Sequence, residues 1–152
     1  MAFKRANTQV PGSALRISSS SQTPAFQKTM SEPIFEITKA AAFDAAHYLE
    51  EGPADHRYRR LHGHSFQVEA SVRGAVADGH EWVADLGELD RALKSLAGDL
   101  DHGLLNDHPG LETPTLERLC LHFAKALKPK FPGLSRVVVS RPTIGERCEF
   151  RL

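Results

Sequence analysis

Cysteine is scarce in this chain, with only Cys120 and Cys148 among 152 residues, too few for a disulfide scaffold. Neither has a second Cys nearby, which excludes a thiolate zinc clip, and such usage fits a reducing, cytoplasmic setting. Net charge is absent as well: 19 Lys and Arg balance 19 Asp and Glu, which removes the global electrostatic case for a nucleic-acid partner or an anionic membrane surface. No run approaches the roughly 20 apolar residues that span a bilayer, so no membrane partner is expected either. Acidic residues are missing altogether from residues 1–30, which hold eight Ser or Thr and the cations Lys4, Arg5, Arg16 and Lys28. That composition predicts a disordered basic tail. It is also the composition of an organellar transit peptide, which leaves an organellar matrix as the alternative location.

The remainder, residues 31–152, has the texture of one globular domain; the whole chain is 41% apolar and 25% charged. A β-like run from Ile34 to Phe43 leads into Phe43-Asp44-Ala45-Ala46-His47. Next, His64, Phe66, Val68, Ala70 and Val72 alternate with Ser65, Gln67, Glu69, Ser71 and Arg73, the period of a half-buried strand. Trp82 and Val83 suggest a short returning strand. Asp85 then opens a helix as N-cap with Glu88 three residues on, and Leu86, Leu89, Leu93, Leu96 and Leu100 make its buried stripe. A second helix is expected with Thr113 as N-cap, Pro114 at its first position, and Leu116, Leu119, Cys120, Phe123 and Leu127 on its apolar face. Two closing strands, Leu134 to Ser140 and Arg147 to Leu152, flank a turn with Pro142 and Gly145. Antiparallel strands with two helices on one face make an α+β domain.

The chemistry-bearing constellation is His62-Gly63-His64 at the entrance of the clearest strand, where side chains two apart share a face. His47, at the end of the preceding strand, lies where an antiparallel neighbour would bring it alongside. Three neutral imidazoles leave zinc one open position, the arrangement of a catalytic site. Ordinary surface or core histidines are the competing reading, because H-x-H alone carries little information and the chain has eight histidines.

The wider pattern is more specific. F-D-A-A-H at 43–47, R-L-H-G-H-S-F at 60–66, W-V-A-D-L at 82–86, L-D-H at 100–102, L-N-D at 105–107 and P-G-L-E-T-P-T-L-E at 109–117 stand in family order. Together they resemble the 6-pyruvoyltetrahydropterin and 6-carboxytetrahydropterin synthases. The resemblance implies a tunnelling fold: a four-stranded antiparallel sheet backed by two helices, closing between subunits into a barrel, as trimers that pair into hexamers with sites at subunit interfaces. It implies that His47, His62 and His64 hold zinc, that Asp101 and His102 move protons at the substrate side chain, and that Thr115 and Glu117 contact the pterin.

Two departures stand out. The family pattern C-x-x-x-H-G-H places a basic cysteine where this chain has Tyr58, whose phenol starts near pKa ~10 against ~8.5 for a thiol. The family glutamate that anchors the aminopyrimidine falls at Arg141, a donor-only group that cannot accept from the ring. Glu146 is the candidate replacement, and Arg141 is a candidate receptor for a carboxylate or phosphate, as is the cluster Arg57, Arg59 and Arg60. The expected activity is a zinc-dependent carbon-oxygen lyase acting on a reduced pterin such as dihydroneopterin triphosphate, feeding tetrahydrobiopterin, queuosine or a related pathway. The alternatives are retro-aldol cleavage or a more anionic substrate on the same fold, and a catalytically silent metabolite-binding oligomer.

Overall fold

Alternation along the strands decides which face of the sheet is covered. The computed structural model describes residues 32–76 and 78–152, so the expected tail, residues 1–30, lies outside the described residues. Strand β1 (Phe35–His47) pairs antiparallel with β2 (His62–Gly74) along its whole length, from Phe35 opposite Gly74 to His47 opposite His62. Strand β3 (Leu134–Arg141) adds to β2, and β4 (Glu146–Arg151) adds to β3, giving the order β1-β2-β3-β4. The helices α1 (Leu86–Leu100) and α2 (Leu116–Leu127) sit between the two hairpins in sequence. This is the expected α+β architecture.

Phe43, Ala45, Phe66, Val68, Ala70, Val72, Val137 and Val139 form the sheet's half of the core, and Leu89, Leu93, Leu100, Leu119, Phe123 and Leu127 form the helices' half. Each fully buried leucine there contributes roughly 1.5–3 kcal/mol, so the stripe rather than helix propensity holds α1 in place. The other sheet face is mostly polar, and its buried residues are Val138 and Ser71. Ser71 is covered by Arg136, whose Nε and NH2 donate to its Oγ at 3.2 and 3.0 Å, and by Thr38 at 2.8 Å.

The structure corrects three sequence expectations. Trp82 and Val83 lie in bends and form no strand. This stretch must climb from the sheet to the start of α1 within a few residues, and Val83 instead packs over Gly74. Asp85 does cap α1, its Oδ1 accepting from Gly87 and Glu88 N–H at 2.7 and 3.1 Å, but the Glu88 carboxylate pairs with Lys130 rather than returning to the cap. The cap of α2 is Thr115, not Thr113: its Oγ1 accepts from the Arg118 N–H at 3.3 Å. The Pro114 carbonyl, which would have entered the helix ladder, faces His47 instead.

Candidate metal centre and active site

His47 and His62 are register partners at the loop end of the first hairpin, and His64 follows on the same face. Their ring centroids lie 4.4 Å (His47–His62), 5.3 Å (His47–His64) and 5.0 Å (His62–His64) apart. One ligand atom from each falls within 4.8 Å of the others. Gly63 permits this approach: a Cβ there would lie 3.2 Å from the Ala45 carbonyl oxygen. Phe66, next on the same face, stands edge-on to His47 and His64 and walls the group from the core.

The partners of the rings settle their tautomers. His47 Nδ1 lies 3.2 Å from the Pro114 carbonyl and His62 Nδ1 lies 2.7 Å from the Arg60 carbonyl. A carbonyl only accepts, so each Nδ1 carries the proton and each Nε2 presents a lone pair. Both of those Nε2 atoms are buried and have no protein partner. His64 Nε2 faces Arg141 NH1 at 3.2 Å, and since a guanidinium only donates, this nitrogen is a lone pair too. Burial pushes His47 down to about 4, helped by its two histidine neighbours; burial, Arg141 and His62 lower His64. Unprotonated imidazoles with converging lone pairs repel one another and fit a divalent cation, and the donor set of three nitrogens suits zinc.

Beside His47 opens a cavity of about 600 Å³ whose walls include Tyr58, Thr115, Glu117, Arg141 and Glu146. Five candidate residues from separate segments are thus brought to one place. Tyr58 sits in a short 3-10 turn (Arg57–Arg59), its ring 6.0 Å from His62 and 4.6 Å from His56. Thr115 serves the helix as cap, and the backbone N–H of Glu117 itself, then the Thr115 hydroxyl and then Arg141, hold the Glu117 carboxyl below its ordinary range. Arg141 and Glu146 are register partners and form an ion pair at 2.5 Å. Arg59 is committed to its own loop through the Glu50 and Gly52 carbonyls, which removes it from the expected anion-binding cluster.

Cys148 was not among the candidate site residues read from the sequence. It lines this cavity, and its carbonyl accepts from the Cys120 thiol at 3.6 Å. Its register partner Val139 points into the core, so the period of two along β3 and β4 was the signal that could have placed it.

Asp101 and His102 lie elsewhere. Asp101 ends α1, its Oδ1 accepting from Asp44 N–H at 2.8 Å and its Oδ2 meeting His102 Nδ1 at 2.9 Å. His102 adopts a left-handed backbone, φ 56°, fixed by its N–H bond to the Asp44 carbonyl at 2.6 Å. Asp101 raises His102, and the Asp44 backbone followed by His102 lowers Asp101. The His102 side chain is 81% exposed and borders a second cavity of about 440 Å³ with Asp44, Ala45, Ala46, Gly63, His64 and Ser65. Strand alternation puts Asp44, Ala46 and Ser65 on the face opposite the imidazole triad, whereas Ala45 and His64 belong to the triad's face. His102 therefore lies outside the cavity beside His47 but shares the lining of this second cavity with His64.

This fold with this histidine group is matched by the family model described as 6-pyruvoyl tetrahydropterin synthase, over residues 36–152. The chain belongs to that family. A Synechocystis sp. 6-carboxy-5,6,7,8-tetrahydropterin synthase is 39% identical, covering 68% of this chain and 83% of the relative. A Pyrococcus furiosus dihydroneopterin monophosphate aldolase is 31% identical, covering 75% and 91% respectively. The 6-pyruvoyl tetrahydropterin synthase of Caenorhabditis elegans superposes with a TM-score of 0.69 at 20% identity, over 80% of this chain and 97% of that one, which shows the shared fold. Members of this synthase family process pterins, and the present chain has the family's four-stranded sheet and two helices.

Proposed function

We propose that the protein is a zinc-dependent enzyme that cleaves or eliminates on the side chain of a reduced pterin. One observation carries the reading: three imidazole lone pairs, two of them buried and unpartnered, converge beside a cavity holding the carboxylates of Glu117 and Glu146. His47, His62 and His64 would hold the ion. When bound, it supplies Lewis acidity toward an oxygen of the side chain and acidifies the adjoining C–H.

The chain's own residues do the rest. The pterin 2-amino and N3–H groups are donors and require acceptors, which Glu117 and Glu146 supply, with Thr115 beside them in the cavity wall. Tyr58, at the cavity wall near His62, stands where a proton is removed from or returned to the side chain. His102, with its affinity for a proton raised by Asp101, is suited to proton transfer near neutrality. Its exposure favours delivery to the triad of a neighbouring copy, within a trimer or hexamer closed through the outer edges of β1 and β4. A cytoplasmic location accords with the two free thiols.

A second reaction on the same site is favoured by Arg141 in the cavity and by the relative named an aldolase. In a retro-aldol step the 2′-hydroxyl loses its proton, the C1′–C2′ bond breaks, C2′ leaves as an aldehyde and C1′ takes up a proton. Zinc-loaded protein incubated with dihydroneopterin triphosphate and with the monophosphate, followed by mass spectrometry, separates the two. Eliminated pterin products support the lyase, a hydroxymethylpterin with a two-carbon aldehyde supports the aldolase, and no turnover of either ends both in favour of a silent binding oligomer.

A further inference from the structure

Arg141 occupies an unusual station in this pocket. Its NH1 lies 3.2 Å from His64 Nε2, its NH2 meets Glu146 at 2.5 Å, and its Nε is buried without a partner. The side chain is only 13% exposed, so these donors have little access to water. The acceptor that NH1 uses is the lone pair a metal would take from His64. Loading the triad therefore strips this nitrogen of its only acceptor among the described residues and leaves two guanidinium nitrogens without a described partner beside the cavity. Glu146 neutralises the charge but engages only NH2.

We infer that Arg141 is the anion receptor of this pocket, released from His64 by metal loading, and that it selects substrates carrying a phosphate ester or carboxylate. The inference rests on the metal reading above and adds the substrate class. A planar guanidinium with two free nitrogens matches two oxygens of such a group, and the water-poor position strengthens the contact. Until the anion arrives, the cation beside His64 opposes the incoming ion. Arg141 thus links two events: the metal frees the receptor, and the anion then compensates the charge the metal adds.

The test compares the wild type with Arg141→Met, which keeps the aliphatic stem, and with Arg141→Met/Glu146→Gln, which removes the freed carboxylate as a source of new metal ligation. Zinc affinity is read by competition with a chromogenic chelator. Both variants are expected to bind zinc about tenfold more tightly than the wild type, because the competing donor is gone. Calorimetry on the zinc-loaded proteins then uses dihydroneopterin, its monophosphate and 6-carboxypterin, which distinguish phosphate from carboxylate as the preferred group. The wild type is expected to prefer an anionic ligand by about tenfold or more, and Arg141→Met to lose that preference while holding dihydroneopterin within about twofold. An anionic preference that survives in Arg141→Met, or zinc affinity that is unchanged or weaker in both variants, overturns the inference. Wild-type protein that folds but binds no zinc instead removes the metal reading on which it rests.

Discussion

His47 and His62 face each other across the first hairpin as register partners, and each gives its Nδ1 proton to a backbone carbonyl, His47 to Pro114 and His62 to Arg60. The orientation of both rings is therefore set by the chain itself before any ion arrives. A preset donor group of this kind loses little order on binding, which favours affinity.

Zinc content is the direct measure of that arrangement. His62→Ala and His64→Ala, examined by atomic absorption after dialysis, are expected to fall from about one zinc per chain to under about a tenth, since two imidazoles hold the ion weakly. Stripping the wild type with a chelator should lower its melting temperature, because zinc at about 100 times its Kd adds roughly 2.7 kcal/mol to the folded state. Full zinc retention in both variants contradicts the assigned ligands.

Acid sensitivity follows from His47. In the folded, metal-free protein it takes up a proton at about 4, against about 6.5 when unfolded. Between those values the unfolded chain binds more protons, so stability is present above about 6.5 and is lost as pH falls toward 4, by on the order of 3 kcal/mol. His64 and His122, both lowered chiefly by burial, act in the same direction. Urea midpoints of metal-free protein measured at pH 7.5, 5.5 and 4.5 should decline, and His47→Gln should flatten that decline.

The Asp101–His102 pair has the opposite sign for its histidine. Asp101 raises His102, so the stabilisation from protonated His102 is complete below its unfolded value near 6.5 and is lost as pH rises through the folded value. Asp101→Asn should bring the His102 midpoint down, followed through the ring proton shifts by NMR. A midpoint that stays put would show that the 2.9 Å contact does not form in solution.

Tyr58→Phe removes only the phenol. If proton transfer at the side chain passes through that oxygen, kcat drops by about 100-fold while zinc content stays at the wild-type level. Equal kcat in the two proteins would leave Tyr58 as a wall of the cavity.

Gly63→Ala tests the hairpin itself. The added methyl meets the Ala45 carbonyl at 3.2 Å in a fully paired ladder, so the strands must part slightly, at a cost of about 1–3 kcal/mol. Weaker zinc binding should accompany the lower denaturation midpoint, because His62 and His64 flank the perturbed residue.

The elements written in strong periodicity were readable. The alternation around Phe66 and Val68 placed β2 and its buried face, and Asp85 marked the start of α1 through its side-chain bonds. Trp82 and Val83 misled because an apolar pair beside a turn has no period to test, and the tertiary path to α1 took precedence. Thr113 and Thr115 offer equivalent caps by composition; the choice depended on where the Pro114 carbonyl goes, a contact 67 residues distant in sequence. Among the site residues, the histidine triad was legible from spacing and resemblance together. The location of His102 was not, because the left-handed turn that carries it is fixed by bonds to Asp44 on another element.

The bond from His47 to Pro114 has one more consequence. Pro114 immediately precedes Thr115, and Glu117 is the second residue of α2, so the carbonyl that holds the His47 ring belongs to the same segment that presents two groups lining the cavity. The radius of an ion held by the triad would thereby become a dimension of the neighbouring recess: a larger cation that displaced His47 would draw the helix start with it. Swapping metals is then a way to resize the substrate's seat without altering a single amino acid.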